Sequence, residues 1–401
     1  MGRTVRNDTI MVNFYFDRYI DGKPYPNLAK HQALPYTPEW REFSKKWPFS
    51  EPLHFLEYLD QEHVEYQLVT TPENAIYPVS VSFFDFGVNW FDLCNSAILS
   101  ALKAKTLKLW FFYSEGDNPL RIQQHLQAQA QEHDVPWSQI RFTSANSAAD
   151  DIENFSYFVD DEMLYRLRNE ATPVEYHERN RSKKFTALVR THKWWRATTM
   201  TRLWSKGLHE HGYFSYNNEL DVGESELDNA VEIDSFPGLR DSVYNFLNAC
   251  PFIADSYDSG WHNLYHNTVP EHHNDSYLNL VLETHLDADQ SGGTFLTEKI
   301  FKPIKHCQLF LIVGPAGSVA QLRKMGYKTF DTWIDHSYDT IQNNTRRWDA
   351  VMREFERLCA SNLHRIYVDC EASLRRNQQL FLSDKAERLN TLIQKVKHEQ
   401  G

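Results

Sequence analysis

The sequence lacks an apolar stretch long enough to cross a lipid bilayer, and the segment MGRTVRNDTIMVNFYF holds no signal-type apolar run. We therefore expect a soluble, cytoplasmic chain without a membrane span. Cysteine is scarce, since only five residues are present and they are scattered without metal-ligand spacing. This usage is typical of reduced thiols in a reducing compartment and gives no sign of a disulfide framework.

Excess positive charge is also missing. Acidic residues number 54 against 42 basic ones, so the formal net charge is -12, which argues against general binding to a polyanion. The chain does have length and apolar content, with 401 residues of which 41% are hydrophobic. It is large enough to bury sizeable cores in two or three domains.

Strands and helices alternate through the first half of the sequence. The pattern predicts strands at Val79–Phe86, Leu107–Tyr113 and Ile140–Ser144, with helices at Trp90–Lys103 and Pro119–Glu132 between them. Such alternation requires parallel strands joined by crossover helices. We therefore expect an N-terminal α/β domain over residues 1–175.

The second half opens with another strand and helix. A linker is predicted near Thr172–Arg181, a second α/β domain over 176–340, and a helical C-terminal segment over 341–401. The predicted fold class is α/β, with two Rossmann-like domains that face a cleft.

The stretch Ser276–Pro315 reads as strand, glycine loop, helix and second strand. The two strands are predicted at Leu278–Leu282 and Gln308–Val313, and neither alternates in polarity, as expected of strands buried on both faces. Thr294 or Thr297 can cap the helix between them, and Lys299 falls in its first turn. A helix N-terminus that carries a lysine is suited to bind a diphosphate, with nearby carboxylates free for sugar hydroxyls.

These residues resemble the donor-binding segment of the α1,3/α1,4-fucosyltransferases. The order of tyrosine, apolar strand, glutamate, T-E-K on a helix and an apolar strand ending in V-G-P is found here at Tyr277, Glu283, Thr297, Glu298, Lys299 and Val313-Gly314-Pro315. The resemblance implies the two-domain GT-B fold, GDP-fucose as the donor, transfer with inversion and no required metal. Pro303 is expected to bend the helix.

Basic residues concentrate between residues 183 and 206 of an otherwise acidic chain. Arg190, Lys193 and Arg196 lie at a predicted strand-to-helix turn, where a nucleotide diphosphate would fit. Arg196 is the closest match to an arginine of the fucosyltransferase pattern. The alternative reading is a solvated basic helix face.

An inverting transfer also needs a carboxylate that takes the proton of the attacking hydroxyl. The resemblance places a glutamate after an N-domain strand, which makes Glu115 the first choice, with Asp85 and Asp117 as the next. The alternative for each is an ordinary solvated loop acid.

Several other readings stay open. Asp287-Ala288-Asp289 and, more weakly, Val159-Asp160-Asp161 fit the acidic pattern by which metal-dependent GT-A glycosyltransferases hold Mn²⁺ or Mg²⁺. Histidines at 262, 266, 272 and 273 can also be read as metal ligands, although the glycine, proline and asparagine residues around them favour a loop.

The acceptor is open as well. A glycan or another hydroxyl-bearing molecule is expected as the partner of a nucleotide-sugar donor. Nucleic acid is a less favoured partner, in the form of hydroxymethylated bases in viral DNA. A non-catalytic module that binds a nucleotide or a glycan is the alternative outside enzymes.

Overall fold

The structure is a computed structural model, and it describes residues 12–20, 23–25, 54–81, 84–113, 115–159, 164, 167–169, 172–219, 239–254, 268–287, 292–383 and 385–398. The chain divides into two units, Met1–Glu162 with Asp384–Gly401 and Met163–Ser383. Both are α/β and contain a parallel sheet.

The strands are β1 Val12–Tyr15, β2 Arg18–Ile20, β3 Lys23–Tyr25, β4 Tyr66–Val69, β5 Ala75–Val81, β6 Leu107–Tyr113, β7 Ile140–Ser144, β8 Phe155–Tyr157, β9 Lys183–Thr191, β10 Gly212–Glu219, β11 Ser276–Leu282 and β12 Leu309–Val313. The α-helices are α1 His54–Gln61, α2 Ser96–Lys103, α3 Pro119–Glu132, α4 Trp194–Ser205, α5 Arg240–Ala249, α6 Pro270–Asn274, α7 Glu298–Lys305, α8 Ser318–Lys324, α9 Asn344–Ala360, α10 Leu363–Asp369, α11 Glu371–Leu382 and α12 Ala386–His398.

The first unit is built on a six-stranded sheet with the order β4-β1-β5-β6-β7-β8. All its paired strands are parallel. Every residue of β6 and β7 is buried, because helices cover a parallel sheet on both faces. Strands β2 and β3 form a separate antiparallel pair directly after β1.

Local signals explain where these helices begin. Asn118 accepts hydrogen bonds from the amides of Leu120 and Arg121, and Pro119 occupies the first turn, so α3 has the predicted bounds. The helix predicted from Trp90 begins instead at Ser96, because Asn95 caps α2 by accepting from the amide of Ile98. The strand predicted at Val79–Phe86 lies earlier, at Ala75–Val81.

The last helix belongs to the first unit, not to a separate helical segment. Lys108 of β6 is buried, and its Nζ donates to the carbonyl oxygen of Val396 near the end of α12 at 2.9 Å. Leu389 and Ile393 of the same helix are buried. The helices α9, α10 and α11, by contrast, lie in the second unit.

The second unit is built on a four-stranded sheet with the order β10-β9-β11-β12. Its paired strands are also all parallel. The chain adds β10 on one side of β9 and then returns to add β11 and β12 on the other side. The strand order therefore reverses between β9 and β11.

The boundary between the units precedes the predicted linker, because residues 172–181 are bonded within the second unit. The amide of Val174 donates to Nδ1 of His306 at 3.1 Å, and Nε2 of Gln378 donates to the Val174 carbonyl oxygen at 2.9 Å. Arg181 is buried and donates to the carbonyl oxygen of Ser276 at the start of β11.

Candidate functional site

The carboxyl ends of β9 and β11 lie side by side at the point where the strand order reverses. In open α/β sheets this is where ligands collect, because the flanking helices leave a crevice there. Arg196, in the first turn of α4, donates from Nη2 to the carbonyl oxygen of Glu283 at 3.0 Å. The segments that follow the two strands thus lie at one edge of the sheet, as the sequence predicted.

Glu283 is a fully buried carboxyl group at this edge. The hydroxyl of Thr297 donates to Oε2 at 2.6 Å, and the Thr297 amide lies 3.4 Å from Oε1. Burial raises the pKa of Glu283 to about 7, against the opposing charge of Lys299. The group is therefore poised to change protonation near neutral pH.

Lys299 holds the positive charge next to Glu283. Its Nζ lies 3.2 Å from Oε1 of Glu298 and donates to the hydroxyls of Thr284 at 3.2 Å and Thr297 at 3.1 Å. Burial works to raise the pKa of Glu298, but the charges of Lys299 and then Lys302 lower it on balance, so this carboxyl group is ionised at neutral pH. The Lys299 side chain keeps 29% of its surface exposed.

The N-terminus of α7 already faces a carboxyl group of the chain itself. Thr297 is the cap residue, its hydroxyl accepts from the Lys299 amide at 3.4 Å, and its own amide faces Glu283. The sequence predicted that this helix end would receive an external anion. In the structure, the Lys299 side chain beside this helix end is partly exposed. The helix continues through Pro303 to Lys305.

The cations at the carboxyl end of β9 differ in burial. Arg196 is buried, Lys193 is half-buried at the cap position of α4, and Arg190 is exposed. The neighbouring His192 is also buried, and its Nδ1 lies 2.5 Å from the hydroxyl of Tyr216. Burial, followed by the charge of Arg196, lowers the pKa of His192 to about 4, so this imidazole is neutral.

Arg347 positions the loops around the edge, and sequence reasoning missed it. It is buried in the first turn of α9, and it donates from Nε to the Gly314 carbonyl oxygen at 2.9 Å and from Nη2 to that of Leu286 at 2.5 Å. A Cβ atom at Gly314 would lie 3.4 Å from Cβ of Glu283, so the two loops approach closely. The sequence did offer one signal that Arg347 is buried: it lies four residues before Val351, which places both residues on the buried face of α9.

The structure does not bring Tyr277 to this edge. Tyr277 lies near the amino end of β11, where its hydroxyl accepts from the Arg181 amide at 2.9 Å and lies 3.3 Å from Nδ1 of His364. Glu283 follows the other end of the same strand. Tyr277 is therefore a buried residue toward the opposite edge from Glu283, and its role in donor binding stays a prediction.

The three candidate bases lie in the first unit, after β5 and β6. Asp85 is exposed and accepts from the Gly87 amide at 2.7 Å. Asp117 is exposed and accepts from the hydroxyl of Tyr113 at 2.5 Å. Glu115 is half-buried, and burial together with Asp117 and Glu115 raises the pKa of Tyr113. The structure thus groups Glu115 with Asp117, while Asp85 follows the neighbouring strand.

The acidic and histidine patterns are only partly within the described residues. Asp287 is half-buried, and its charge opposes the lowering of the Arg347 pKa by burial. His272 and His273 are buried in α6, at the amino edge of the second sheet. Four predicted ligands, at positions 160, 161, 262 and 266, and Asp289 lie outside the described residues. Within the described residues, no group of three or more His, Cys, Asp or Glu side chains is arranged to hold a metal ion.

Comparison of the sequence with protein-family models, with curated proteins and with solved structures finds no match. Of the helices in the described part of the chain, none has the length and apolar character needed to span a membrane.

Proposed function

We propose that this protein is an inverting glycosyltransferase that binds a nucleotide-diphosphate sugar at the carboxyl edge of the β9–β12 sheet. The observation that carries the proposal is the placement of Lys299 beside Glu283 at the reversal of strand order, with Arg196 bonded to the same loop. A mobile diphosphate needs positive charge that is fixed in position, and the bonds to Glu298 and two threonines fix the Lys299 ammonium.

The reaction would use these groups as follows. The bond between the sugar and the diphosphate breaks, and negative charge grows on the leaving diphosphate, which Lys299 and Arg196 stabilise. The acceptor oxygen bonds to the anomeric carbon from the opposite face, and its proton passes to a carboxylate. Glu115 is the first candidate for that base, followed by Asp117 and Asp85. The GT-B arrangement, fucose as the sugar and a cytoplasmic location are parts of the proposal.

A thermal-shift screen of the full chain against nucleotides and nucleotide-sugars tests the donor assignment, because a ligand that binds only the folded state raises its melting temperature. We expect stabilisation by a nucleoside diphosphate and by its sugar conjugate, and we expect it to persist with EDTA. Stabilisation only with Mn²⁺ would favour the acidic pattern that begins at Asp287. No response to any nucleotide would contradict the proposal.

The roles of the two units can be separated with a base variant. Glu115→Gln should leave the thermal shift by the donor unchanged while transfer to an acceptor, or slow hydrolysis of the donor, falls by roughly a hundredfold or more. Full turnover in this variant would exclude Glu115 as the base and leave Asp117 and Asp85 for the same test.

A further inference from the structure

One hydroxyl group joins the carboxyl group of Glu283 to the ammonium of Lys299. The Thr297 hydroxyl donates to Oε2 of Glu283 at 2.6 Å, and the same oxygen accepts from Nζ of Lys299 at 3.1 Å. The Thr297 hydroxyl thus lies between the two titratable groups. A change at the ammonium therefore reaches the buried carboxyl group through a single side chain.

Lys299 serves two buried carboxyl groups at once. Glu283 has no exposed surface, and Glu298 is only 4% exposed. The charge of Lys299 works to lower the pKa of both, while the charge of Glu298 works to raise that of Glu283. The two carboxyl groups therefore depend on the same ammonium, and an anion that binds to it affects both.

Other charged groups reach this loop through its backbone. Arg196 of α4 donates to the Glu283 carbonyl oxygen at 3.0 Å, and Arg347 of α9 donates to the Gly314 carbonyl oxygen of the adjacent loop at 2.9 Å. Arginine keeps its charge in proteins. The titratable side chains in the loop itself and in the first turns of α7 are His285, Asp287, Glu298, Lys299 and Lys302. Burial raises the pKa of Glu283 to about 7, so its charge can change near neutral pH.

A diphosphate at Lys299 would change the charge balance of this cluster. Its negative charges lie next to the ammonium and disfavour a further negative charge on buried Glu283, where water screens little. We propose that a nucleoside diphosphate binds at Lys299 together with a proton that Glu283 takes up. The carboxylate gains this proton from solvent and returns it when the nucleotide leaves. The inference rests on the proposed function, because it concerns the same site.

The coupling has a defined sign. In the free chain, Glu283 loses its proton as the pH rises through about 7. The bound nucleotide makes the folded chain hold that proton to a higher pH. Above neutrality, binding therefore requires proton uptake, and the affinity for the nucleotide falls as the pH rises.

The protons taken up can be counted on the wild-type chain. Titration calorimetry with GDP at pH 7.5, in two buffers that differ in ionisation enthalpy, gives the number of protons bound per nucleotide. We expect uptake of about half a proton, because at this pH the free carboxyl group is mostly ionised and the bound one is mostly protonated. This measurement needs no substitution in the buried cluster.

The pH dependence of the affinity assigns the proton to Glu283. GDP should bind the wild type roughly fourfold more weakly at pH 8.5 than at pH 7. A terminal phosphate loses its last proton near pH ~6, so the nucleotide itself changes little over this range. Glu283→Gln, with a neutral amide in place of the carboxyl group, should lose most of the fourfold change. Glu210→Gln, at an exposed position of the same unit, should keep it.

Three results would overturn the coupling, and only one of them also removes the donor site. Binding of GDP without proton uptake at pH 7.5 would overturn the coupling alone. A fourfold change that persists in Glu283→Gln, with the fold verified by circular dichroism, would do the same, because another group would then carry the proton. A chain that binds none of GDP, UDP and ADP at either pH would overturn both.

Discussion

The two edges of the β9–β12 sheet both bury polar groups, but they use them differently. At the amino edge, the rings of His273 and His306 stack with centroids 4.5 Å apart, and Arg181 donates to the His273 carbonyl oxygen at 2.5 Å. At the carboxyl edge, Glu283 and the partly exposed Lys299 lie in one cluster. The comparison is consistent with the proposal that the carboxyl edge binds a ligand, while the contacts at the amino edge join α6, β11 and the end of α7.

The largest effect is expected at the amino edge. Arg181→Met removes donors to the His273 and Ser276 carbonyls and to the Tyr367 hydroxyl. These buried acceptors lose a charged donor, although Nε2 of Gln308 still donates to the Ser276 carbonyl oxygen at 3.1 Å. We expect the free energy of unfolding of the second unit to fall by about 3 kcal/mol, with unchanged nucleotide affinity in the folded protein. Urea titration of the full chain measures the loss.

Arg365→Met is the matched control for this change, because the Arg365 side chain is 72% exposed in the same unit. It should change the stability by less than about 0.5 kcal/mol. Equal urea midpoints for the two variants would contradict a structural role of the amino edge.

At the carboxyl edge, Lys299→Ala should lower nucleotide affinity as well as stability. It removes a fixed ammonium from the proposed diphosphate site, so nucleotide affinity of the folded protein should fall by roughly thirtyfold, or about 2 kcal/mol. The urea midpoint should also fall, because the buried Glu298 carboxylate loses the charge that lowers its pKa. Titration calorimetry with the nucleotide that gives the largest thermal shift provides the dissociation constants. Lys324→Ala, at an exposed position in α8, is the control. Equal affinities in the two variants would show that Lys299 does not contribute to nucleotide binding.

Buried groups at the two edges should change the free energy of unfolding in opposite directions as the pH falls. Burial lowers the pKa of His273 to about 4 from its ordinary value of 6.5, so the unfolded chain takes up a proton first as the pH falls. The free energy of unfolding therefore decreases between about pH 6.5 and about pH 4. The raised pKa of Glu283, about 7, has the opposite sign, because the folded chain binds that proton more tightly.

His273→Gln tests the amino-edge part of this response. The wild-type free energy of unfolding should decrease between about pH 7 and about pH 5.5, and in His273→Gln this decrease should be smaller by about 1 kcal/mol. Urea titration at the two pH values measures it. His211→Gln, at an exposed position, should leave the loss unchanged. A His273→Gln chain with the wild-type acid response would show that this histidine does not titrate differently on folding.

The smallest effect is expected for Arg190→Ala. This side chain lies at the carboxyl end of β9 but is exposed, so solvent and salt screen its charge. Nucleotide affinity should fall by about threefold or less, as measured by the same calorimetric titration. A loss of affinity as large as that of Lys299→Ala would indicate that the diphosphate binds closer to β9 than proposed.

Sequence reasoning was most successful where the signal is local. The strand β11, the glutamate after it and the capped helix that begins at Glu298 follow from apolar runs, a threonine cap and a glycine loop within one short segment. The bounds of β6, β7 and α3 were predicted for the same reason.

What could not be predicted depends on contacts between residues far apart in the sequence. Arg347 donates hydrogen bonds to the loops after β11 and β12, and Lys108 donates to a carbonyl oxygen near the end of α12. Within its own segment of the sequence, each looks like an ordinary charged residue. The motif gave the order of Tyr277 and Glu283 along β11 but not that they lie near opposite ends of the strand.

The most direct test of the account is hydrogen–deuterium exchange of the full chain with and without saturating GDP, in the presence of EDTA. We predict slower exchange in residues 190–196, 283–287 and 292–299, which lie at the carboxyl edge, and no change in residues 270–277 at the amino edge. Bound nucleotide with no protection of the carboxyl edge, or with protection confined to the amino edge, would contradict the central claim.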